Sequence, residues 1–531
     1  MRRHQLALGL LLLVAFKLWL VHTEDIYGSA TELDALWFAT AAKHWYWGSD
    51  YSWIAFVRPP AYPLFIAFVH LLHVPLRIGI ELMQAAGYLA LIAGIRKAGA
   101  PVWVCLVTFA AMILHPGSFQ LNSVTMADNF YAALLPLVVG GMVLTLLTAK
   151  LTHAAWTGFA LALLWNTREE SFLIPPMIAV FLVVALVRQR LVERSWKPAM
   201  RYWLQPAWVM LGTLLLLNVA VYTANYRAFH SFSKSELTAS SFTAAHKALL
   251  RIKPEREYRF VSVSTDALRK AYSVSPTFAR LQPQLDGDVG RGWQVHAFPA
   301  LGIHEIGGPW FLWALRHAAM TTPGIHESAV SANRFYRNVA REINRACDEG
   351  RIPSRFVFSS FLDPSAIAHI GSMPQSFPRI LSLFLLRYHV FESRDDDILT
   401  KSQRDLYDEM TYRGSTHNIA GQLSVSAKLE NFIGEYHRLL VIGLSLAGCA
   451  AALAIAVSFH QVRASDPLNA ALILLGTAIL LRVLLFTYLD ATWWVGGYER
   501  YLFPVLPLYS GFLILLIYQS LALWRRARPA I

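Results

Sequence analysis

Apolar runs of roughly 20 residues recur along most of the chain, each long enough to cross the roughly 30 Å hydrocarbon core of a bilayer. Ten membrane-spanning helices are expected, over about residues 5–22, 79–96, 102–115, 129–148, 153–166, 171–187, 206–224, 438–458, 468–488 and 502–522. Counting the run at 60–75 (PPAYPLFIAFVHLLHV) as a further crossing would reverse every later loop, so it reads as an interfacial helix. Two polar stretches interrupt the pattern. The first is a loop over 22–78 holding Asp25, Glu32, Asp34, Asp50 and Arg58 among many aromatics, and the second runs from 225 to 436, about the size of a domain. Within the second, Ser331–Asp348 spaces Phe335, Val339 and Ile343 four apart, an amphipathic helix stopped by Gly350. The expected fold class is an α-helical polytopic membrane protein. It divides into a transmembrane module at 1–224, a mainly helical extracytoplasmic domain at 225–436 and C-terminal transmembrane helices at 437–531.

Composition agrees and narrows the class. The 531 residues are 55% hydrophobic and 15% charged, against about 25% charged in soluble domains. That excludes an ordinary cytosolic enzyme, a disordered chain and a collagen-like one. Lysine and arginine exceed aspartate and glutamate 47 to 34, and in a soluble protein that excess would suggest nucleic acid. Here it orients the helices. With the N-terminus inside, Arg2-Arg3, Arg96-Lys97, Lys150, Arg188 through Arg201, Arg463 and Arg525-Arg526-Arg528 all fall in the cytoplasm. No nucleic-acid partner is expected; the bilayer is. The first run lacks a small-x-small cleavage site and reads as an uncleaved span. Cys105 and Cys449 sit in apolar runs, Cys347 stands alone and no CxxC occurs, which argues against a redox pair or thiolate metal site.

Candidate chemistry collects at one membrane face. Asp34 opens a short helical pattern with Phe38, Ala41, Ala42 and Trp45, where an acid also serves simply to complement the helix dipole. Arg58 precedes Pro59-Pro60, at headgroup level, as a bidentate phosphate ligand or a membrane anchor. Asp128 starts the fourth span, where a carboxylate is costly unless solvated or paired and so is a functional candidate. Arg500 lies outside the last span and Arg482 a little over a turn inside the ninth. Arg168-Glu169-Glu170, in the turn between spans five and six, reads as a structural salt bridge. His304-Glu305 and His326-Glu327 lack HExxH spacing.

This order of features resembles the GT-C glycosyltransferases: a first-loop Asp followed by an aromatic and Ala, a basic-Pro junction with a Tyr, a second Asp opening span four, and Arg500-Tyr501 before Pro504. Within that group it looks like the bacterial relatives of the protein O-mannosyltransferases and of the lipid A aminoarabinose transferases. The resemblance implies a GT-C-like bundle with a catalytic carboxylate at Asp34 and a second acid at Asp128. Donor-phosphate contacts fall to Arg58, Arg500 and Arg482. It further implies a polyprenyl-phosphate sugar donor, an unspecified lipid, glycan or protein acceptor, inversion at the anomeric carbon, and an extracytoplasmic site in a bacterial inner membrane. With arginines available no metal is required, and a divalent ion stays an open alternative. The sequence departs from the pattern where Ala35 replaces the usual acid after Asp34, and in the size of the insertion at 225–436. A transporter or lipid flippase, a non-catalytic envelope scaffold and a glycan polymerase or ligase are the competing classes.

Overall fold

The computed structural model describes residues 2–27, 33–48, 50–52, 55–360, 364–385, 400–413, 420–457, 466–493 and 496–527; Glu32, Arg463 and Arg528 lie outside them. Among the described residues eight helices are long and apolar enough to cross a membrane: His4–Val21, Leu76–Lys97, Ala127–Thr148, Glu169–Glu193, Trp196–Phe229, Lys428–Leu453, Pro467–Thr492 and Leu506–Arg525. The chain is thus an α-helical polytopic membrane protein. The described residues otherwise show only the isolated β-bridges Tyr27–Val124 and Ile252–Ser354.

From the N-terminus the helices are α1 (Arg2–Val21), α2 (Leu33–Lys43), α3 (Ala61–Leu71), α4 (Leu76–Lys97) and α5 (Val102–Ile113). They continue with α6 (Pro116–Leu121), α7 (Ala127–Thr148), α8 (Leu151–Trp165), α9 (Ile174–Glu193) and α10 (Trp196–Phe229). Two expected spans, 102–115 and 153–166, fall on the short helices α5 and α8. Both nevertheless carry the chain back across the bundle. Asn122, just past α6, donates to Glu81 (3.0 Å) and Gln84 (2.9 Å) in the second turn of α4. Arg168, just past α8, donates to Asp128 in the first turn of α7.

Helices α4 and α7 share the most extensive packing among the described helices, and small residues face each other there. A Cβ on Gly140 would strike the backbone of Ala90, and one on Gly87 the carbonyl of Ala133. In lipid, such close approach replaces the hydrophobic effect as the source of helix association. The expected interfacial run appears as α3; the extended entry expected of Pro59-Pro60 is not seen at Pro60, which already has helical angles (φ −79°, ψ −18°) as the residue before the first turn. The Ala61 N–H at its start donates to the Asn166 carbonyl at the end of α8 (3.0 Å). That bond brings the Arg58 segment to the turn carrying Arg168, Glu169 and Glu170.

Helix α10, at 34 residues, is about 51 Å long at 1.5 Å per residue, and it leads into the polar insertion. The insertion has its own core, from Leu237 to Val357. The expected amphipathic helix is Ala329–Asp348, opened by a Ser328–Ser331 capping box, with Phe335, Val339 and Ile343 buried. Gly350 follows it at φ 69°. Later parts of the insertion lie on the bundle instead. Helix Met373–Ser382 packs on Pro467–Thr492 with Arg379 3.3 Å from Asp490. Helix Lys401–Thr411 packs on α2 and α3, burying Tyr407 and pairing Glu409 with Lys43 (2.9 Å).

Candidate active site

The residues singled out in sequence meet at one end of the bundle. An open cleft with about 50 Å³ of water-accessible room is lined by Asp34, Phe38, Arg58, Met126, Ala127, Asp128, Thr167, Arg168, Glu169, Arg500 and Tyr501. Asp34 stands in the first turn of α2, which an edge contact between Phe38 and Tyr62 (4.9 Å) holds against α3. Arg58 reaches across from the loop before α3. Its Nη2 donates to both Asp34 oxygens (2.8 and 2.9 Å) and its Nη1 to Glu169 (3.3 Å). Its own carbonyl accepts from the Tyr46 hydroxyl (2.6 Å). Burial alone would lower the Arg58 pKa, but the Asp34 and Glu169 carboxylates outweigh it and hold the guanidinium above the ordinary arginine value.

A second ion-pair chain runs beneath. Arg168 donates to Asp128 (2.6 Å) and to Glu170 (2.9 Å). Glu170 accepts in turn from Arg482 (2.8 Å), whose Nε donates to the Tyr501 carbonyl (2.6 Å). Arg482 also stands 3.9 Å from Asp128 and packs over the Tyr131 ring (4.7 Å). Arg168 is desolvated, yet Asp128 and Glu170 keep its pKa well above the ordinary value. Arg500 is different. Its guanidinium donates to the Tyr501 hydroxyl (2.5 Å) and lies over that ring (4.5 Å), with no carboxylate at ion-pair distance among the described residues. Its buried Nε has no partner.

Four arginines therefore face four carboxylates: Asp34, Asp128, Glu169 and Glu170. Each of the four acids has an arginine within 3.3 Å, so the buried carboxylates are compensated without a ligand. The set can also receive an anion: Arg500 is unclaimed by an acid, and Arg58 can trade a carboxylate for a phosphate with the same planar fork. Arg482 does not line the open cleft. It borders a small apolar gap with about 10 Å³ of water-accessible room, lined by Tyr131, Leu135, Leu173, Ile174, Met177, Ala478 and Leu481. One guanidinium thus stands between the charged cleft and apolar packing among the membrane helices.

Arg168 and Glu170 form the salt bridge expected of them, but they also belong to the cleft network. The signal was present: charges closing an apolar run obey the same cost argument that picked out Asp128. Lys234 was not singled out. Its ammonium donates to the Arg168 carbonyl (2.7 Å) and Ser171 (2.8 Å), and burial pulls its pKa down to about 8 despite Glu169 and Glu170 nearby. Among the described residues no group of three or more His, Cys, Asp or Glu is placed to hold a metal ion.

No family model matches the chain, and no curated protein matches it. Among solved structures it is similar to the crystal structure of ArnT from Cupriavidus metallidurans bound to undecaprenyl phosphate. The two are 14% identical, the match covers 98% of this chain and 78% of that one, and the TM-score is 0.32. At that score the likeness carries no residue assignment.

Proposed function

We propose that the protein is a membrane glycosyltransferase that moves a sugar from a polyprenyl-phosphate donor to an envelope acceptor. The observation that carries this reading is the cleft at one end of the bundle where Arg58 and Arg500 stand beside the Asp34 and Asp128 carboxylates, an anion site next to an acid able to take a proton. The phosphate of a polyprenyl-phosphate donor is the matching anion. The motif order that resembles the GT-C enzymes supports the same reading independently.

In the reaction proposed, the acceptor hydroxyl oxygen attacks the anomeric carbon and the bond from that carbon to the phosphate oxygen breaks. The electron pair leaves with the phosphate, the hydroxyl proton passes to Asp34, and the configuration inverts. A positioned base of this kind contributes about 10²–10⁴-fold. Arg58 and Arg500 stabilise the charge growing on the phosphate through N–H groups already held in place. In the free protein Arg58 occupies both Asp34 oxygens. Donor phosphate binding to Arg58 frees Asp34 to take a proton, so the base is released as the leaving group is captured. Asp128, tied to Arg168, keeps the second pair in register beneath. The basic clusters at the opposite helix ends support an extracytoplasmic cleft with both termini cytoplasmic. A transporter would carry polar groups near the midplane, whereas these crowd one end.

Mass spectrometry of envelope lipids, glycans and proteins from cells with and without the protein tests the reading. A hexose or pentose increment that disappears with the protein, and returns with the wild type but not with Asp34→Asn, is the expected result. Unchanged envelope glycans together with altered uptake or export of a solute would refute it.

A further inference from the structure

A side chain of the polar insertion packs on Arg58. Trp313, on helix Gly308–Thr321, places its ring 4.6 Å from the Arg58 guanidinium carbon. It also stacks on Trp37 of α2 (5.6 Å), whose ring is 5.8 Å from the same guanidinium. Stacking uses the face of a guanidinium and leaves its in-plane N–H groups free, so an indole fixes the plane without competing for a phosphate. The acids on Arg58 can be exchanged for a ligand, while the indole stays.

What holds Trp313 also holds the Arg58 backbone. One turn later on the same helix, the buried Arg316 donates to Glu236 (2.8 Å). The other Glu236 oxygen lies 3.3 Å from His326, which is bonded to Tyr51 (3.1 Å) and Tyr336 (3.0 Å). The Glu236 N–H donates to the Phe56 carbonyl (2.8 Å), two residues before Arg58. A single buried glutamate therefore ties the helix bearing Trp313 to the loop bearing Arg58.

We infer that Trp313 is a positioning residue for Arg58, so that the polar insertion supplies part of the donor-phosphate site, with the Glu236–Arg316 pair setting its register. The inference rests on the reading of Arg58 as the donor-phosphate ligand. The test is a double-mutant cycle on the full chain in nanodiscs, with undecaprenyl phosphate as the probe ligand. Trp313→Leu is expected to weaken binding about tenfold, and Trp313→Phe, which keeps an aromatic face, by no more than about threefold. In an Arg58→Ala background, Trp313→Leu is expected to change nothing further. Trp313→His, with a smaller ring, supplies the same cycle at an intermediate loss should the leucine variant not be recovered. Undiminished binding by Trp313→Leu, or the same fold-loss in both backgrounds, overturns the inference and leaves the donor reading standing. Wild-type protein that binds no undecaprenyl phosphate overturns the donor reading and this inference with it.

Discussion

Removing Arg168 while leaving its acids in place tests the paired-charge network most sharply. In Arg168→Met the side-chain volume is roughly kept, but Asp128 and Glu170 lose bonds of 2.6 and 2.9 Å. The side chains of Asp128, Arg168 and Glu170 are 4%, 14% and 15% exposed, so solvent does little to replace the lost partner. Breaking a buried pair from one side costs about 3–5 kcal/mol. Glu170 keeps its bond to Arg482 (2.8 Å), and Asp128 keeps Arg482 at 3.9 Å and the favourable N-terminus of α7. These set the expected loss at the lower end, about 3 kcal/mol. Adding Asp128→Asn removes the stranded charge, so the double variant should recover about half of that loss. Equilibrium unfolding of the purified protein in mixed micelles measures both. A single variant within about 0.5 kcal/mol of wild type, the range of ordinary surface substitutions, would refute the network. So would a double variant less stable than the single.

Arg58→Ala removes charge-assisted hydrogen bonds and should weaken polyprenyl-phosphate binding about 10–100-fold in a titration on nanodisc-embedded protein; an unchanged affinity reduces Arg58 to a headgroup anchor. His326 is buried against Glu236 and Arg316, and desolvation lowers its pKa below the ordinary 6.5. The unfolded chain then binds the proton more readily, so this contribution to stability is full above about pH 6.5 and declines as the pH falls below it. Unfolding measured at pH 5 and 7.5 should show a smaller pH dependence in His326→Gln than in wild type, and an equal dependence contradicts the assignment. Gly140→Val places a branched side chain against the Ala90 backbone and should leave no monodisperse folded protein on size-exclusion chromatography in mild detergent; a normal elution profile would show that α4 and α7 can separate at that point.

Hydropathy read the bundle well and its helix ends poorly. The expected run 102–115 falls on α5, which ends at Ile113, and the chain starts the separate short helix α6 at Pro116, because a proline restricts the residue before it. Helix α10 begins at Trp196, well before the expected 206, and the helix around 438–458 begins at Ala420. In both cases the extension is polar or amphipathic, so a mean-hydropathy window does not register it. Asp34, Arg58, Asp128 and Arg500 were legible as one site because each is a charge placed at the same end of an apolar run. The partner of Asp128 was not legible, since Arg168 lies 40 positions away and no local period links them. Trp313 gave no signal at all. An indole in an amphipathic helix looks like core, and only the tertiary fold brings it to Arg58.

The central claim is transfer of a sugar from a lipid phosphate with Asp34 as the base. Wild-type and Asp34→Asn protein in nanodiscs, given a polyprenyl-phosphate hexose or pentose and an envelope-lipid extract, can be compared by the rate at which free polyprenyl phosphate appears. Release coupled to glycosylated product is expected with wild type, and release at least about a hundredfold slower with Asp34→Asn at undiminished donor binding. Equal rates from the two proteins would contradict it.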